Sequence, residues 1–223
     1  MKISHIRPHL KKPSLVPDIL TNYHPVSNLT FLSKLLEKIV ATQLDKHLTD
    51  NLLMDTTQSA YRHYHSTETA LLKVQTVVLE LLDNGFAVVL LMLDLSSAFD
   101  TIDHTLLLHR LQHKFGITSR ALAWFKSYLT GRSQSVLIGE NQSEAKILEF
   151  TVPQGSVLGP KVYCVYTRPV GDIVRRHGLS CHTYADDTQI YFSLQPISEN
   201  WSEALINIEN VCLKCKIGLS KIF

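Results

Sequence analysis

The sequence predicts an α/β protein in which short strands alternate with amphipathic helices, and three stretches carry that expectation. Phe86 to Leu93 is an unbroken apolar run, β-branched in part, which suits a strand buried on both faces rather than an edge strand. Leu32, Leu35, Leu36, Ile39, Val40 and Leu44 recur at helical steps, predicting a helix from about Thr30 to Leu48. Cys181-His182-Thr183-Tyr184 and Thr188-Gln189-Ile190-Tyr191-Phe192 are β-prone segments on either side of Ala185-Asp186-Asp187, the pattern of a hairpin.

Along the chain, Pro8, Pro13, Pro17 and Pro25 make residues 1–28 an extended, non-helical segment. Ser66 can cap a second helix with Glu68 in its first turn and Leu71, Val74, Val78 and Leu81 on its apolar face, stopped by Asn84-Gly85. The apolar run then delivers Asp94 at its C-terminal end. Asp103 can cap a helix through Leu106, Leu107, Leu111 and Phe115, and Thr118 or Ser119 another through Leu122, Trp124, Phe125 and Leu129. Ser135 to Ile138 and Ile147 to Val152 read as a hairpin, broken by Pro153-Gln154-Gly155. A helical region over about 157–176 should be shortened or kinked at Pro160 and Pro169, and Ser198 can cap a last helix with Trp201, Leu205, Ile208, Val211 and Cys215 on one face. Trp124 and Trp201 read as core residues.

The 223 residues suffice for one large domain or two small ones, and 45% hydrophobic with 19% charged residues is globular, not disordered. A net charge of +2 does not by itself identify a nucleic-acid binder, so any basic surface must be local. Cys164, Cys181, Cys212 and Cys215 form no disulfide framework; Cys212-x-x-Cys215 lacks a second pair and is discounted as a zinc or redox site. No signal peptide and no run of the roughly 20 apolar residues that cross a bilayer is visible, so no membrane association is expected. An intracellular, reduced protein follows, with nucleus and cytoplasm both open.

Adjacent carboxylates repel, and the usual relief is a cation or a shared proton. Asp186-Asp187 taken alone fits either a solvated turn or a cation site. Asp94 ends a strand, and a β, α, β arrangement can bring that end beside the hairpin. Three carboxylates facing one site are hard-oxygen ligands for Mg²⁺, two ions of which can clamp the oxygens of a phosphoryl transfer.

The ordered motifs Asn22-Tyr23-His24-Pro25-Val26-Ser27-Asn28-Leu29, Gln58-Ser59-Ala60-Tyr61-Arg62, His65-Ser66-Thr67-Glu68, Leu93-Asp94-Leu95-Ser96-Ser97-Ala98-Phe99-Asp100, Val152-Pro153-Gln154-Gly155-Ser156 and Tyr184-Ala185-Asp186-Asp187 resemble the reverse transcriptases of non-long-terminal-repeat, LINE-type retrotransposons. The resemblance runs from about Leu10 to Ser220. It implies an α/β (α+β) right-hand polymerase fold of fingers, about 1–85 and 104–150, and palm, about 86–103 and 151–223, with an antiparallel palm sheet packed on helices. It implies RNA-directed DNA synthesis on an RNA template and DNA primer from dNTPs, with two Mg²⁺ ions or Mn²⁺ in their place, one activating the primer 3′-OH and the other holding the triphosphate. Asp94 and Asp186 match the principal metal ligands and Asp187 the third catalytic carboxylate. Phe99 matches the aromatic under the incoming sugar, Gln154 and Gly155 the loop touching nucleotide and template, Arg62 a template or nucleotide contact, and Tyr184 belongs to the same substrate-side set. Lys12, with Lys11, offers phosphate contacts by charge, and a solvated lysine fits equally. Oligomeric state is not indicated.

His24 stands where the family usually has arginine, at a position linked to the triphosphate. Lys161 and Arg168 stand where related chains tend to be apolar or neutral, and read as drift. The family continues beyond Gly218-Leu219-Ser220 into a primer grip and thumb; this chain stops at Phe223, so thumb and upstream endonuclease are expected to be absent. A reading of a different class follows: a catalytically inactive truncated remnant that binds RNA, DNA or a protein partner.

Overall fold

The computed structural model describes residues 2–94, 101–153, 155–195 and 201–220. In chain order the strands are β1 (Ile3–Leu10), β2 (Tyr23–Asn28), β3 (Ala87–Asp94), β4 (Arg132–Ile138), β5 (Asn141–Gln142), β6 (Lys146–Leu148), β7 (Ser180–Tyr184) and β8 (Asp187–Leu194). The helices are α1 (Phe31–Asp50), α2 (Thr67–Asp83), α3 (His104–His113), α4 (Ser119–Leu129), α5 (Gly159–Thr167), α6 (Pro169–Arg176) and α7 (Trp201–Ser220). The chain divides into two units, residues 1–52 with 99–162 and residues 53–98 with 163–223. Residues 53–85, grouped with the fingers from sequence, thus fall in the same unit as β3.

In the first unit the extended N-terminal segment becomes sheet. β1 and β2 pair antiparallel with Pro8 opposite Pro25, and β4 runs parallel to β1 and carries β5 and β6. The Lys11 N–H donates to the Asn22 carbonyl at 2.8 Å. Counting back along the antiparallel alternation, Pro8 and Pro25 fall at a position where no ladder bond is made, so neither needs the N–H it lacks. α1 is capped by Thr30, whose hydroxyl accepts from the Ser33 N–H, and it buries Glu37, Ala41, Leu44 and Leu48. Asp103 caps α3 through the Leu106 N–H at 2.8 Å. The hairpin expected over 147–152 is strand only across β6. Trp124, read as core from sequence, is half-buried and stacks on the buried Tyr128 with ring centroids 5.3 Å apart. Lys161 pairs with Asp45 at 2.9 Å, which gives its charge a partner at the surface.

In the second unit β8 lies between β3 and β7, all antiparallel. One face of this sheet, through Leu91, Leu93, Cys181, Ile190 and Phe192, packs on Val170 and Val174 of α6 and Val211 and Cys215 of α7. β3 is therefore not a strand buried on both faces: it is an edge among the described residues, and Leu90 and Met92 are 45% and 68% exposed. Apolar residues on both faces of β3 conceal this in the sequence. The helical region over 157–176 is two helices, because Pro160 and Pro169 stand at the starts of α5 and α6, where a missing N–H loses no bond. Ser66 and Thr69 form a capping box at the start of α2. The proposed Ser198 cap lies outside the described residues; α7 continues past Cys215, and Trp201 is exposed rather than core. No described helix is long and apolar enough to cross a membrane.

An ion network around the buried Asp55 ties the loop before α2 to α6. Asp55 receives both terminal nitrogens of Arg175, at 3.1 and 2.9 Å, and lies 3.3 Å from Arg168. Asp172 accepts from Arg168 at 2.6 Å and Arg175 at 2.9 Å. Arg168 is thus a structural cation, not drift. Gly171 makes room for the network, since a Cβ there would lie 2.3 Å from the Asp55 carboxylate. Burial alone would raise the Asp55 pKa, but Arg175, Thr57 and Arg168 outweigh it and hold the carboxyl below its usual range; burial is likewise outweighed at Asp172 by Arg168 and Arg175. Asp55→Asn should cost about 3 kcal/mol at neutral pH, read as a lower urea midpoint. Because both folded values are depressed, this stability is present above the unfolded carboxylate pKa of roughly 4 and is lost as pH falls through the folded ones, so the gap between wild type and variant closes on acidification.

Candidate active site

The β7–β8 hairpin turns in two residues, Ala185 and Asp186, closed by the Tyr184–Asp187 pair. Ala185 adopts φ of 56°, a left-handed conformation that costs an alanine roughly 1–2 kcal/mol. Such a turn persists only where its surroundings hold it. The Gln58 side chain does so: its Oε1 accepts from the Ala185 N–H at 3.2 Å and from the Ala60 N–H at 2.9 Å, and its Nε2 donates to the Ala185 carbonyl at 3.4 Å. The backbone around Gln58 runs beside β7, with the Ser59 N–H donating to the Thr183 carbonyl and the Thr183 N–H to the Thr57 carbonyl, each at 2.9 Å.

Across the β3–β8 ladder Asp94 is the direct partner of Asp187. Directly opposed residues of an antiparallel pair lie about 4.5–5.5 Å apart at Cα, so the register brings the strand-end acid to the hairpin acids. Alternation puts positions 88, 90 and 92 on the face opposite the α6 and α7 core, with 182, 187, 189 and 191. Leu90, Met92 and Asp187 are exposed there, while His182 and Tyr191 on the same face are buried. Asp186 is half-buried, and neither it nor Asp187 makes an ion pair with a described lysine or arginine. Burial, with smaller contributions from the Asp186 carboxylate, raises the phenol pKa values of Tyr61 and Tyr163 and keeps both neutral beside it. His182 is buried, its Nε2 2.9 Å from the Ser59 hydroxyl, and burial, helped by Lys73 and His65, lowers its pKa.

Asp94, Asp186, Asp187, Tyr184 and Arg62 all belong to the second unit, whereas Gly155 and Lys12 belong to the first. Arg62 turns a guanidinium nitrogen on the carbonyls of Asp55 and Gln58, at 3.1 and 3.0 Å, and so braces the loop that carries Gln58. Gly155 has φ of 99°, and a Cβ there would come within 3.1 Å of the Ser27 carbonyl, which accounts for glycine. Lys12 is exposed. Phe99 and Gln154 lie outside the described residues, as does the Asp94 side chain. Among the described residues no group of three or more His, Cys, Asp or Glu side chains is placed to hold a metal; of Asp94 the register gives only the backbone pairing with Asp187. Sequence reasoning missed Gln58 as the clamp on the turn and Glu37 as a buried acid; the motif holding Gln58 marked the region without marking the role.

The antiparallel sheet of β3, β7 and β8 packed on helices has the right-hand polymerase fold. The fold agrees with two solved structures: apo telomerase from Candida tropicalis truncated from its C-terminal domain, with a TM-score of 0.63 at 12% identity over 98% of this chain and 48% of that one, and telomerase from Candida albicans in complex with a TWJ fragment of telomeric RNA, with a TM-score of 0.66 at 14% identity over 100% and 40%. The chain belongs to the reverse transcriptase (RNA-dependent DNA polymerase) family, whose model matches residues 10–221, and it is of the LINE type. It is 29% identical over 189 residues to a probable RNA-directed DNA polymerase from transposon BS of Drosophila melanogaster, covering 82% of this chain and 21% of that protein. It is 30% identical over 184 residues to the RNA-directed DNA polymerase from mobile element jockey of Drosophila funebris, covering 80% and 20%. The chain thus spans about a fifth of the length of these relatives.

Gln58→Leu leaves the Ala185 N–H and carbonyl without their side-chain partner and should destabilise the second unit by about 1–3 kcal/mol, with faster amide exchange at Ala185 as the local readout. The depressed His182 pKa gives stability that is present above the unfolded histidine value of roughly 6.5 and lost as pH falls from there through the folded value. The urea midpoint should therefore drop between about pH 7.5 and 5.5, and His182→Gln should flatten that drop.

Proposed function

We propose that this chain carries the nucleotidyl-transfer core of an RNA-directed DNA polymerase, adding dNTPs to a primer 3′-OH along an RNA template. The observation that supports it is the register of Asp94 with Asp187 beside the Asp186 turn, at the exposed β3 edge of the sheet. In this reading the sheet of β3, β7 and β8 is the palm, and the sheet of β1, β2 and β4 belongs to the fingers. Acids that are all hard-oxygen donors, with no described cation neutralising Asp186 or Asp187, fit Mg²⁺ or Mn²⁺. Bound divalent ions supply Lewis-acid polarisation of the reacting oxygens and charge neutralisation at the triphosphate.

The chain's own residues supply position. Asp94, Asp186 and Asp187 hold the ions; Tyr184 and the exposed Leu90 and Met92 give the primer end an amphipathic platform on the same face. By family resemblance Phe99 is the aromatic whose ring would favour a deoxyribose over a ribose 2′-OH. Gly155 permits close backbone approach to the nucleotide, Gln154 offers an uncharged hydrogen-bonding side chain beside it, and Arg62 orders the loop at the edge of the site. Lys12 adds a phosphate contact by charge.

Primer extension with an RNA template, a DNA primer, dNTPs and Mg²⁺ tests the proposal. Extension by the full chain should disappear without divalent ion and fall at least about a hundredfold in Asp186→Asn, while RNA retention on filters at two salt concentrations is unchanged by the substitution. No extension from folded protein that still retains RNA would overturn polymerisation and leave a binding protein.

A further inference from the structure

Glu37 is a carboxylate on α1 that is 1% exposed and makes no ion pair with a described lysine or arginine. A buried acid without a cation is expensive unless its oxygens are fully hydrogen-bonded. Its donors come almost wholly from one place. Oε2 accepts from the Ser156 hydroxyl at 2.6 Å, the Val157 N–H at 2.8 Å and the Leu158 N–H at 3.3 Å, while Oε1 accepts from Ser33 one turn earlier on α1 at 3.3 Å. The Ser156 hydroxyl in turn accepts from the N–H groups of Leu158 and Gly159 at 3.1 and 2.8 Å, and lies 2.8 Å from the Tyr128 hydroxyl. Ser156 thereby caps α5, and Glu37 takes the neighbouring N–H groups at that helix start, where the aligned peptide dipoles favour a negative charge. Burial, then the Glu37 charge, raise the Tyr128 phenol pKa and keep it neutral in this cluster.

The clamped turn begins at Gly155, whose backbone is pressed against the Ser27 carbonyl of β2. Gly155 is thus fixed on one side by contact with β2 and on the other by the Glu37 bonds to the next three residues. An apolar or amide side chain at position 37 would stabilise α1 as well, without the desolvation of a carboxylate, so packing alone does not explain the acid.

We infer that Glu37 is a positioning residue for nucleotide binding: its buried carboxylate sets the turn at Ser156 to Leu158 and so fixes Gly155 against the incoming dNTP. Glu37 touches no substrate, and it has this role only within the polymerase reading above. The clamp acts through charge-assisted hydrogen bonds to backbone, which tolerate less than 1 Å of displacement.

The test compares wild type, Glu37→Gln, Ser156→Ala and the double variant by two readouts. Amide hydrogen exchange at residues 156–159 reads the clamp without any activity, and steady-state primer extension separates the KM for dNTP from kcat. Both single variants should lose protection at these amides and raise the dNTP KM about tenfold, with the double variant no worse than the worse single because one clamp is being removed. A structural role alone would lower the folded, active fraction and leave the dNTP KM unchanged. Lost protection with an unchanged KM, or additive effects of the two substitutions, would overturn the inference while the polymerase reading stands. Absence of extension by wild type would overturn that reading and the nucleotide role with it.

Discussion

The site depends on one pairing register. β3 meets β8 so that Asp94 is opposite Asp187, and a slip of a single residue would break that pairing and turn Leu91 and Leu93 away from α6 and α7. That packing specifies the register, because Leu91 and Leu93 must point at Val174 and Val211 while the alternate positions stay open. The hydrophobic core on one face thereby fixes which residues pair at the strand end. Repulsion among adjacent carboxylates opposes the arrangement, and it persists because burial of the apolar face outweighs it.

Polar braces refine what the register begins. Asp55, gripped by Arg175 and Arg168, anchors the loop that leads to Gln58, and Arg62 ties the same loop through its carbonyls. Gln58 then presents an amide to Ala185 much as a neighbouring strand would, satisfying a strained turn from the side. Each brace uses a buried polar group whose every removal leaves another unsatisfied. In the first unit Glu37 does the corresponding work at the turn after Gly155. The two units thus share a design: short irregular segments carry the chemistry-bearing residues, and buried side chains remote in sequence fix their backbones.

Much of this was legible in the sequence. Caps at Ser66 and Asp103 mark helix starts through local chemistry, and Asp94, Asp186 and Asp187 stand out because adjacent acids between β-prone segments fit either a turn or a cation site, a choice that the ordered motifs around them decide. Other features were not legible, for physical reasons. β3 is apolar at every position from Ala87 to Leu93, so its run cannot say that one face is open. Pro8 and Pro25 argue against sheet in the sequence and are compatible with it because the register sets both at a pair that makes no ladder bond. Arg168 and Lys161 look misplaced until Asp55, Asp172 and Asp45 arrive from elsewhere in the chain. Glu37 reads as an ordinary helix residue because its partners lie about 120 positions away.

The most direct measurement is Mn²⁺ titration of the full chain followed by paramagnetic broadening of backbone amide signals. If the register gathers Asp94, Asp186 and Asp187 into one cation site, broadening is centred on residue 94 and the Tyr184 to Asp187 turn, and Asp187→Asn weakens it at both together. Broadening at the turn that leaves residue 94 untouched, or none at either place, would contradict the account.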